Sequence, residues 1–156
     1  MLTPEELQAE LDGIPDPPDV SDLLDGSGVV ETFNNVPCDQ IDCEYVAGLL
    51  DQVQTWLDDA KDRMTELDDY TTRDDLERIR NEAQLGQRDG EQAGDDEAAS
   101  AYQAIVDAAN DKLQLANDRY NELAPQRSVE AETKGLLQST HTHCCVESRW
   151  YHNYIN

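Results

Sequence analysis

All four cysteines and two of the three histidines lie in two short segments that are far apart in the chain. The first segment, PCDQIDC, contains Cys38 and Cys43, and the second segment, HTHCC, covers residues 141–145. Thiolate and imidazole groups are preferred ligands of zinc, which binds four of them in tetrahedral structural sites. The two segments together therefore contain enough ligands for one metal site.

The geometry of this site depends on the conformation of residues 141–145. In an extended segment the side chains alternate between two faces, so His141, His143 and Cys145 share one face and Cys144 lies on the other. We expect one structural zinc ion, bound by Cys38, Cys43, His143 and Cys145. Either His141 or Cys144 could replace His143 or Cys145 in this set. A closed set of four ligands would link distant segments without catalysing a reaction.

Two disulfide bonds are the main alternative to zinc. The adjacent residues Cys144 and Cys145 would each pair with a different upstream cysteine. Disulfides are rare in the reducing interior of a cell, whereas a finished particle outside the cell would permit them. Cysteines that pack without any bond are a third alternative. The sequence leaves all three open, and zinc is our prediction.

Enzyme motifs are absent from the sequence. The predicted long helices contain no histidine, which excludes an internal Glu-x-x-His di-iron site. There is no phosphate-binding glycine loop, no Gly-x-Ser-x-Gly motif and no His-Glu-x-x-His motif. We therefore expect a protein that is not an enzyme and that has no catalytic residues.

The net charge of −24 is extreme for 156 residues, and its composition is also unusual. The chain has 21 Asp and 14 Glu but only 8 Arg and 3 Lys. Such like charges repel one another on a compact body, and at about 1 M salt the Debye length of about 3 Å removes most of this repulsion. With so few cations to neutralise phosphates, we expect no specific binding of nucleic acid.

This Asp-rich and Lys-poor composition resembles that of proteins from extreme halophiles, especially haloarchaea and their viruses. The resemblance implies folding and function in concentrated salt. No apolar run approaches the roughly 20 residues of a membrane span, and the N-terminal sequence lacks the features of a secretory signal. We expect a location in the cytoplasm or in a virus particle assembled there, and no membrane partner.

Apolar spacing predicts an all-α fold. Residues 46–67 and 102–123 each carry apolar side chains at intervals of three and four, which predicts long helices over about 44–70 and 96–123. A shorter helix should follow Thr72 and end before the glycine-rich run 86–96, and Pro125 should end the second long helix. The expected architecture is an antiparallel hairpin of long helices with shorter flanking helices and an irregular N-terminal connector.

The expected domain organisation has three consecutive parts. Residues 1–37 form a capped helix and a connector rich in proline and glycine, residues 38–125 form the helical hairpin, and residues 126–156 form a last helix and a tail. The tail ends in aromatic and apolar residues that require a surface to pack on. We expect partner-binding residues there, namely Trp150, Tyr151, Tyr154 and Ile155.

The order of LTPEELQAEL, a turn and the amphipathic segment YVAGLLDQVQTWLDD resembles the opening of tailed-virus head-tail connector proteins, the small helical adaptors that ring the portal. The resemblance implies a ring of subunits whose C-terminal segment engages the portal. The predicted function is a non-catalytic assembly protein of a halophilic tailed virus, as a connector or another tail or capsid component. The alternative is a cytoplasmic haloarchaeal zinc-binding module that scaffolds or regulates partner proteins.

Overall fold

The computed structural model of the chain describes residues 2–147, and within this range it is all-α and contains no strand. The predicted fold class is confirmed. Besides its α-helices, the chain has a 3-10 turn at Cys38–Gln40 and a π-helix at Thr142–Glu147. The α-helices are α1 (Pro4–Asp12), α2 (Cys43–Thr71), α3 (Asp74–Gln92) and α4 (Asp96–His141).

Contacts divide the described chain into two compact units that are each assembled from distant segments. Unit 1 comprises residues 2–19 and 65–120, and unit 2 comprises residues 20–64 and 121–147. Helices α2 and α4 each contribute residues to both units, whereas the sequence suggests a division into consecutive parts. No helix in residues 2–147 is long and apolar enough to cross a bilayer.

Helix α1 begins in unit 1 as the sequence predicts. The backbone N–H of Glu6 donates a hydrogen bond of 3.2 Å to the Thr3 hydroxyl, and Pro4 occupies the first turn, where no N–H is needed. The helix buries Leu7 and Leu11 completely. Helix α1 therefore belongs to the core of unit 1.

The sequence predicts that α3 ends before the glycines of residues 86–96, and this prediction is wrong. Gly86 and Gly90 are buried inside the helix, which continues to Gln92. A Cβ atom at Gly86 would lie 2.6 Å from the ring of Tyr102, and one at Gly90 would lie 3.0 Å from the backbone nitrogen of Ala99. These glycines therefore allow α3 and α4 to approach closely. The helix ends near Gly94, whose φ of +74° suits glycine.

The proline-rich start of the connector is held in unit 1 by side chains of the long helices. The Tyr70 hydroxyl donates a hydrogen bond of 2.7 Å to the carbonyl of Pro15, and Arg119 donates one of 2.5 Å to the carbonyl of Pro17. Burial raises the pKa of Tyr70. Carbonyl groups of a segment that forms no helix thus acquire partners within the protein.

In unit 2, α2 and α4 run antiparallel, as the hairpin prediction requires. Val46 and Val53 of α2 pack with Leu137 of α4 and with Val29 of the connector in one apolar cluster. The indole N–H of Trp56 also donates a hydrogen bond of 3.1 Å to the carbonyl of Leu23. The connector is therefore part of the core of this unit.

Helix α4 continues past Pro125 to His141, so the prediction that Pro125 ends it is wrong. The helix has fully buried leucines on both sides of the proline, at Leu123 and Leu137. Proline removes one helical hydrogen bond and costs roughly 3 kcal/mol in a helix interior. Pro125 and Asn121, the residue four positions before it, are exposed, so water can bond the Asn121 carbonyl that loses its helical partner. Burial of the two leucines offsets the remaining cost.

Candidate functional site

Two disulfide bonds link the start of α2 to the end of α4 within unit 2. Cys38 pairs with Cys144 and Cys43 pairs with Cys145, and no free cysteine is present. Cys38 begins the 3-10 turn, Cys43 is the first residue of α2, and the other two cysteines lie in the π-helix. The bonds therefore join segments separated by more than 100 residues. We call this part of unit 2 the disulfide end.

Residues 141–145 are helical, so the extended conformation on which the expected zinc ligand set depended is not adopted. His141 ends α4 and the following residues continue as a π-helix. In a helix, neighbouring side chains point about 100° apart. Cys144 and Cys145 consequently face different directions and reach two different partners. The single face proposed for His141, His143 and Cys145 does not exist.

The predicted zinc ligands are not gathered into a metal site in the disulfide form. His143 is 76% exposed, and its Nδ1 atom lies 3.7 Å from a carboxylate oxygen of Glu147. Residues 2–147 contain no group of three His, Cys, Asp or Glu side chains placed to hold a metal ion. Zinc binds thiolates and not disulfides. Binding of zinc by the reduced chain stays a prediction.

The predicted partner-binding residues Trp150, Tyr151, Tyr154 and Ile155 lie outside the described residues. Trp150 is only five positions after Cys145 in the sequence. The candidate interaction segment therefore follows directly on the residues that the disulfides hold.

The connector beside Cys38 contains two residues with left-handed backbone conformation, Phe33 with φ of 59° and Asn35 with φ of 66°. Side chains other than glycine rarely adopt this conformation, so the surrounding contacts must hold it. The ring of Phe33 packs edge-on against Tyr45 at 6.0 Å between centroids. The Thr140 hydroxyl donates a hydrogen bond of 3.2 Å to the carbonyl of Thr32. The connector is thus fixed to both helices at the disulfide end.

Tyr45 stands at this end of α2 beside an acidic connector residue. Its hydroxyl donates a hydrogen bond of 3.3 Å to the Glu31 carboxylate. The negative charge of Glu31 raises the pKa of Tyr45, since it disfavours the phenolate. Tyr45 therefore acts as a hydrogen-bond donor at neutral pH.

A buried carboxylate holds the next part of the connector to α4. Glu130 is 4% exposed, and it accepts hydrogen bonds from the backbone N–H of Ser27 at 3.0 Å and from the Ser27 hydroxyl at 2.6 Å. Our reading of the sequence missed this residue. The available signal was its position midway between the buried residues Leu123 and Leu137, at intervals of seven on one helix face.

Gly26→Ala is expected to lower the free energy of unfolding of unit 2 by about 3 kcal/mol. Gly26 has φ of +80°, and a Cβ atom would lie 2.5 Å from a carboxylate oxygen of Glu130. The methyl group would therefore add backbone strain and displace a buried hydrogen-bond acceptor. Urea unfolding in high salt measures the loss.

Gly28→Ala is the matched control for this substitution. Gly28 has φ of +82°, but its Cβ atom would lie 3.4 Å from the side chain of Gln52, at the limit of ordinary contact. Only the strain, about 1 kcal/mol, should be lost. Equal losses in the two variants would show that the hydrogen bonds of Glu130 do not stabilise this unit.

A groove of about 490 Å³ runs between α2 and α4 in unit 2, and we call it the cationic groove. Its lining includes Lys61 of α2 and Arg127 and Lys134 of α4, with Asp58 as its only carboxylate. Arg127 and Lys134 form no ion pair with any residue of the described chain. In a protein with a charge of −24, this is an unusual concentration of positive charge.

Comparisons with protein-family models, with curated protein sequences and with solved structures gave no match for this chain.

Proposed function

We propose that this chain is a non-catalytic structural protein that assembles with other protein subunits in concentrated salt. Its specific role is that of a head-tail connector, or another tail or capsid component, in the particle of a halophilic tailed virus. One observation carries the proposal. Two disulfides fix the end of α4 directly before an aromatic segment that is suited to binding a partner.

The disulfide end gives the following segment a rigid starting point. Cys144 is bonded to the 3-10 turn and Cys145 to the first residue of α2, so the backbone at this end of the described chain is held in place. Preorganisation of this kind reduces the entropy lost on association. Trp and Tyr are enriched in the cores of protein interfaces. An anchored aromatic segment therefore suits a subunit that docks permanently on a neighbour.

The oxidised cysteines favour a particle outside the cell over a cytoplasmic scaffold. Disulfides persist in oxidising surroundings and are rare where glutathione and thioredoxin keep thiols reduced. Both pairs also link segments more than 100 residues apart, so oxidation secures the whole of unit 2. A virus subunit that meets the outside medium gains stability from such bonds.

The acidic surface is consistent with a subunit that surrounds a DNA passage in salt. Most carboxylates have no basic partner, because the chain carries 35 acidic and only 11 basic side chains. Repulsion between these carboxylates and phosphates would keep a moving genome from adhering to the wall. Salt screens the repulsion between neighbouring copies at longer range.

The test is a truncation in the particle itself. A version ending at residue 148 is expected to fold, because all the described helices and both disulfides lie before this point. It should accumulate in the infected cell with native disulfides and be absent from purified particles. Full-length protein, introduced in the same way, is the control. Normal incorporation of the truncated protein would refute the proposed role of the tail.

A further inference from the structure

The cationic groove combines the features of a docking site for an acidic helix or turn. It lies between two antiparallel helices, so a third element can rest in it along both of them. Gly135 and Ala131 of α4 line its floor, and nothing lies within 4 Å of the position that a Cβ atom of Gly135 would take. A partner can therefore approach the backbone of α4 closely while it meets Arg127 and Lys134.

Four basic side chains outside the groove form ion pairs with carboxylates of the same chain. Arg63 binds Asp22 and Arg73 binds Asp75, in each case at 2.9 Å. Further pairs join Arg78 to Glu10 and Lys112 to Asp16. The hydrogen bonds from Arg73 also lower the pKa of Asp75. Arg127 and Lys134 differ, because both line the groove and neither has such a partner in the described chain.

The stretch of sequence with the most closely spaced acidic residues lies in unit 1. The turn between α3 and α4 carries five carboxylates within nine residues, and all five are exposed. We call this segment, residues 89–97, the acidic turn. It consists of a short exposed chain reversal at Gly94 flanked by two helix ends. Its carboxylates are Asp89, Glu91, Asp95, Asp96 and Glu97.

We propose that the cationic groove of one copy binds the acidic turn of a second copy of this chain. The two surfaces have opposite charge, since three cations line the groove and five carboxylates lie within residues 89–97. Because the surfaces differ, the contact is heterologous, and repetition of it generates a ring or a filament. The inference rests on the proposed function, in which copies assemble, and it names the surfaces that do so.

Concentrated salt does not remove this contact. At about 1 M salt, screening acts beyond about 3 Å, so it suppresses the general repulsion between copies more than ion pairs at contact distance. Arg127 can also hold a carboxylate through two parallel hydrogen bonds. Assembly should therefore increase with salt and still depend on these particular cations.

Zero-length cross-linking tests the contact directly, because the chain has only three lysines. Equal amounts of unlabelled and ¹⁵N-labelled full-length protein are mixed in about 1 M KCl, where the Debye length is about 3 Å, and treated with a carbodiimide. This reagent joins a lysine amine to a carboxylate in direct contact. Peptides of mixed label should connect Lys61 or Lys134 to residues 89–97. Lys112, which binds Asp16 of its own chain, is the internal control.

Charge reversal provides the second measurement. Arg127→Glu combined with Lys134→Glu should weaken association by about tenfold or more, since each substitution replaces attraction by repulsion. Arg80→Glu combined with Arg88→Glu changes the net charge equally but lies outside the groove, and should not weaken association. Adding Asp89→Lys and Glu91→Lys to the groove variant should partly restore association, because it supplies two cations on the turn for the two carboxylates introduced in the groove. Urea unfolding of each variant establishes that it folds.

The outcomes separate this inference from the proposed function. If copies associate but Lys61 and Lys134 form no mixed-label cross-links, and if reversal of the groove changes nothing, the inference is wrong and the assembly function stands. Cross-links from these lysines to carboxylates outside residues 89–97 would also overturn the acidic turn as the occupant. If the protein is monomeric at every salt concentration, the inference and the assembly of copies both fail.

Discussion

Loss of both disulfides is expected to lower the free energy of unfolding by about 7 kcal/mol, which approaches the whole stability of an ordinary domain. The bond between Cys43 and Cys145 closes a loop with a sequence separation of 102 residues. In the chain-entropy description, closure of a loop of about 100 residues contributes about 4.7 kcal/mol. The quadruple Cys→Ala variant should therefore be largely unfolded at room temperature in dilute buffer.

The two bonds are expected to contribute non-additively because their loops overlap over almost their whole length. Once Cys43 is bonded to Cys145, the pair Cys38–Cys144 closes only a small ring formed by residues 38–43 and 144–145. Such a ring contributes about 2.5 kcal/mol, so removal of either bond alone should cost about this amount. Loss of both bonds should exceed the sum of the two single losses by about 2 kcal/mol.

Urea unfolding of four proteins in high salt measures this cycle. They are the native chain, Cys38→Ala with Cys144→Ala, Cys43→Ala with Cys145→Ala, and the quadruple variant. Chelator is present throughout, so that any chains whose remaining cysteine pair is not oxidised are not stabilised by metal. Equal stability of the native and quadruple proteins would show that the disulfides do not hold unit 2 together. A single variant that loses as much as the quadruple variant would contradict the coupling expected from the overlapping loops.

Salt is expected to have the second largest effect on stability. Between about 0.05 M and about 1 M KCl the Debye length falls below the spacing of neighbouring helix charges, and repulsion within a chain of net charge −24 decreases. The melting temperature should rise by at least about 10 °C, which corresponds to roughly 3 kcal/mol for a chain of this size. Thermal melts followed by circular dichroism provide the measurement.

A charge-reduced variant distinguishes screening from other effects of salt. Asp59 and Asp62 are exposed on α2, and their replacement by Asn removes two charges with little change in shape. The variant should be more stable than the native protein at low salt and nearly equal to it at high salt. If the variant and the native protein respond identically to salt, then stronger burial of apolar surface is responsible for the effect instead.

The sequence predicted the helices well where their apolar faces are regular. The interval of three and four residues places Val46, Val53 and Leu67 on one face of α2, and all three are buried. This periodicity follows from helix geometry and needs no knowledge of the neighbours. The all-α fold was predictable for the same reason, and the start of α1 was predictable from its local capping residues Thr3 and Pro4.

The wrong predictions concern residues whose structural role depends on tertiary contacts. Gly86 is an ordinary helix breaker by propensity, but here it makes room for the ring of Tyr102. Pro125 ends helices in most contexts, whereas burial of leucines on both sides keeps α4 continuous. Glu130 is charged, yet the connector supplies its hydrogen-bond donors from more than 100 residues away. Local sequence contains none of these neighbours.

The sequence predicted which cysteines form the candidate site, but it did not predict how they are bonded. The sequence identified the cysteines of both segments as interacting groups. Four cysteines allow three disulfide connectivities, and zinc coordination uses the same thiols. The helical conformation of residues 142–147, which directs adjacent cysteines to separate partners, was the missing information. The cationic groove was also missed, because its basic residues come from two helices that are distant in sequence.

Sedimentation velocity of the oxidised full-length protein across a range of KCl concentrations tests the central claim most directly. A structural subunit that assembles in brine should sediment as a slow, expanded or poorly folded monomer at low salt. It should sediment as a discrete oligomer at about 1 M KCl and above, where the Debye length is about 3 Å. A compact and cooperatively folded monomer at both the lowest and the highest salt concentration would contradict the claim that this protein needs salt and neighbouring subunits to reach its stable form.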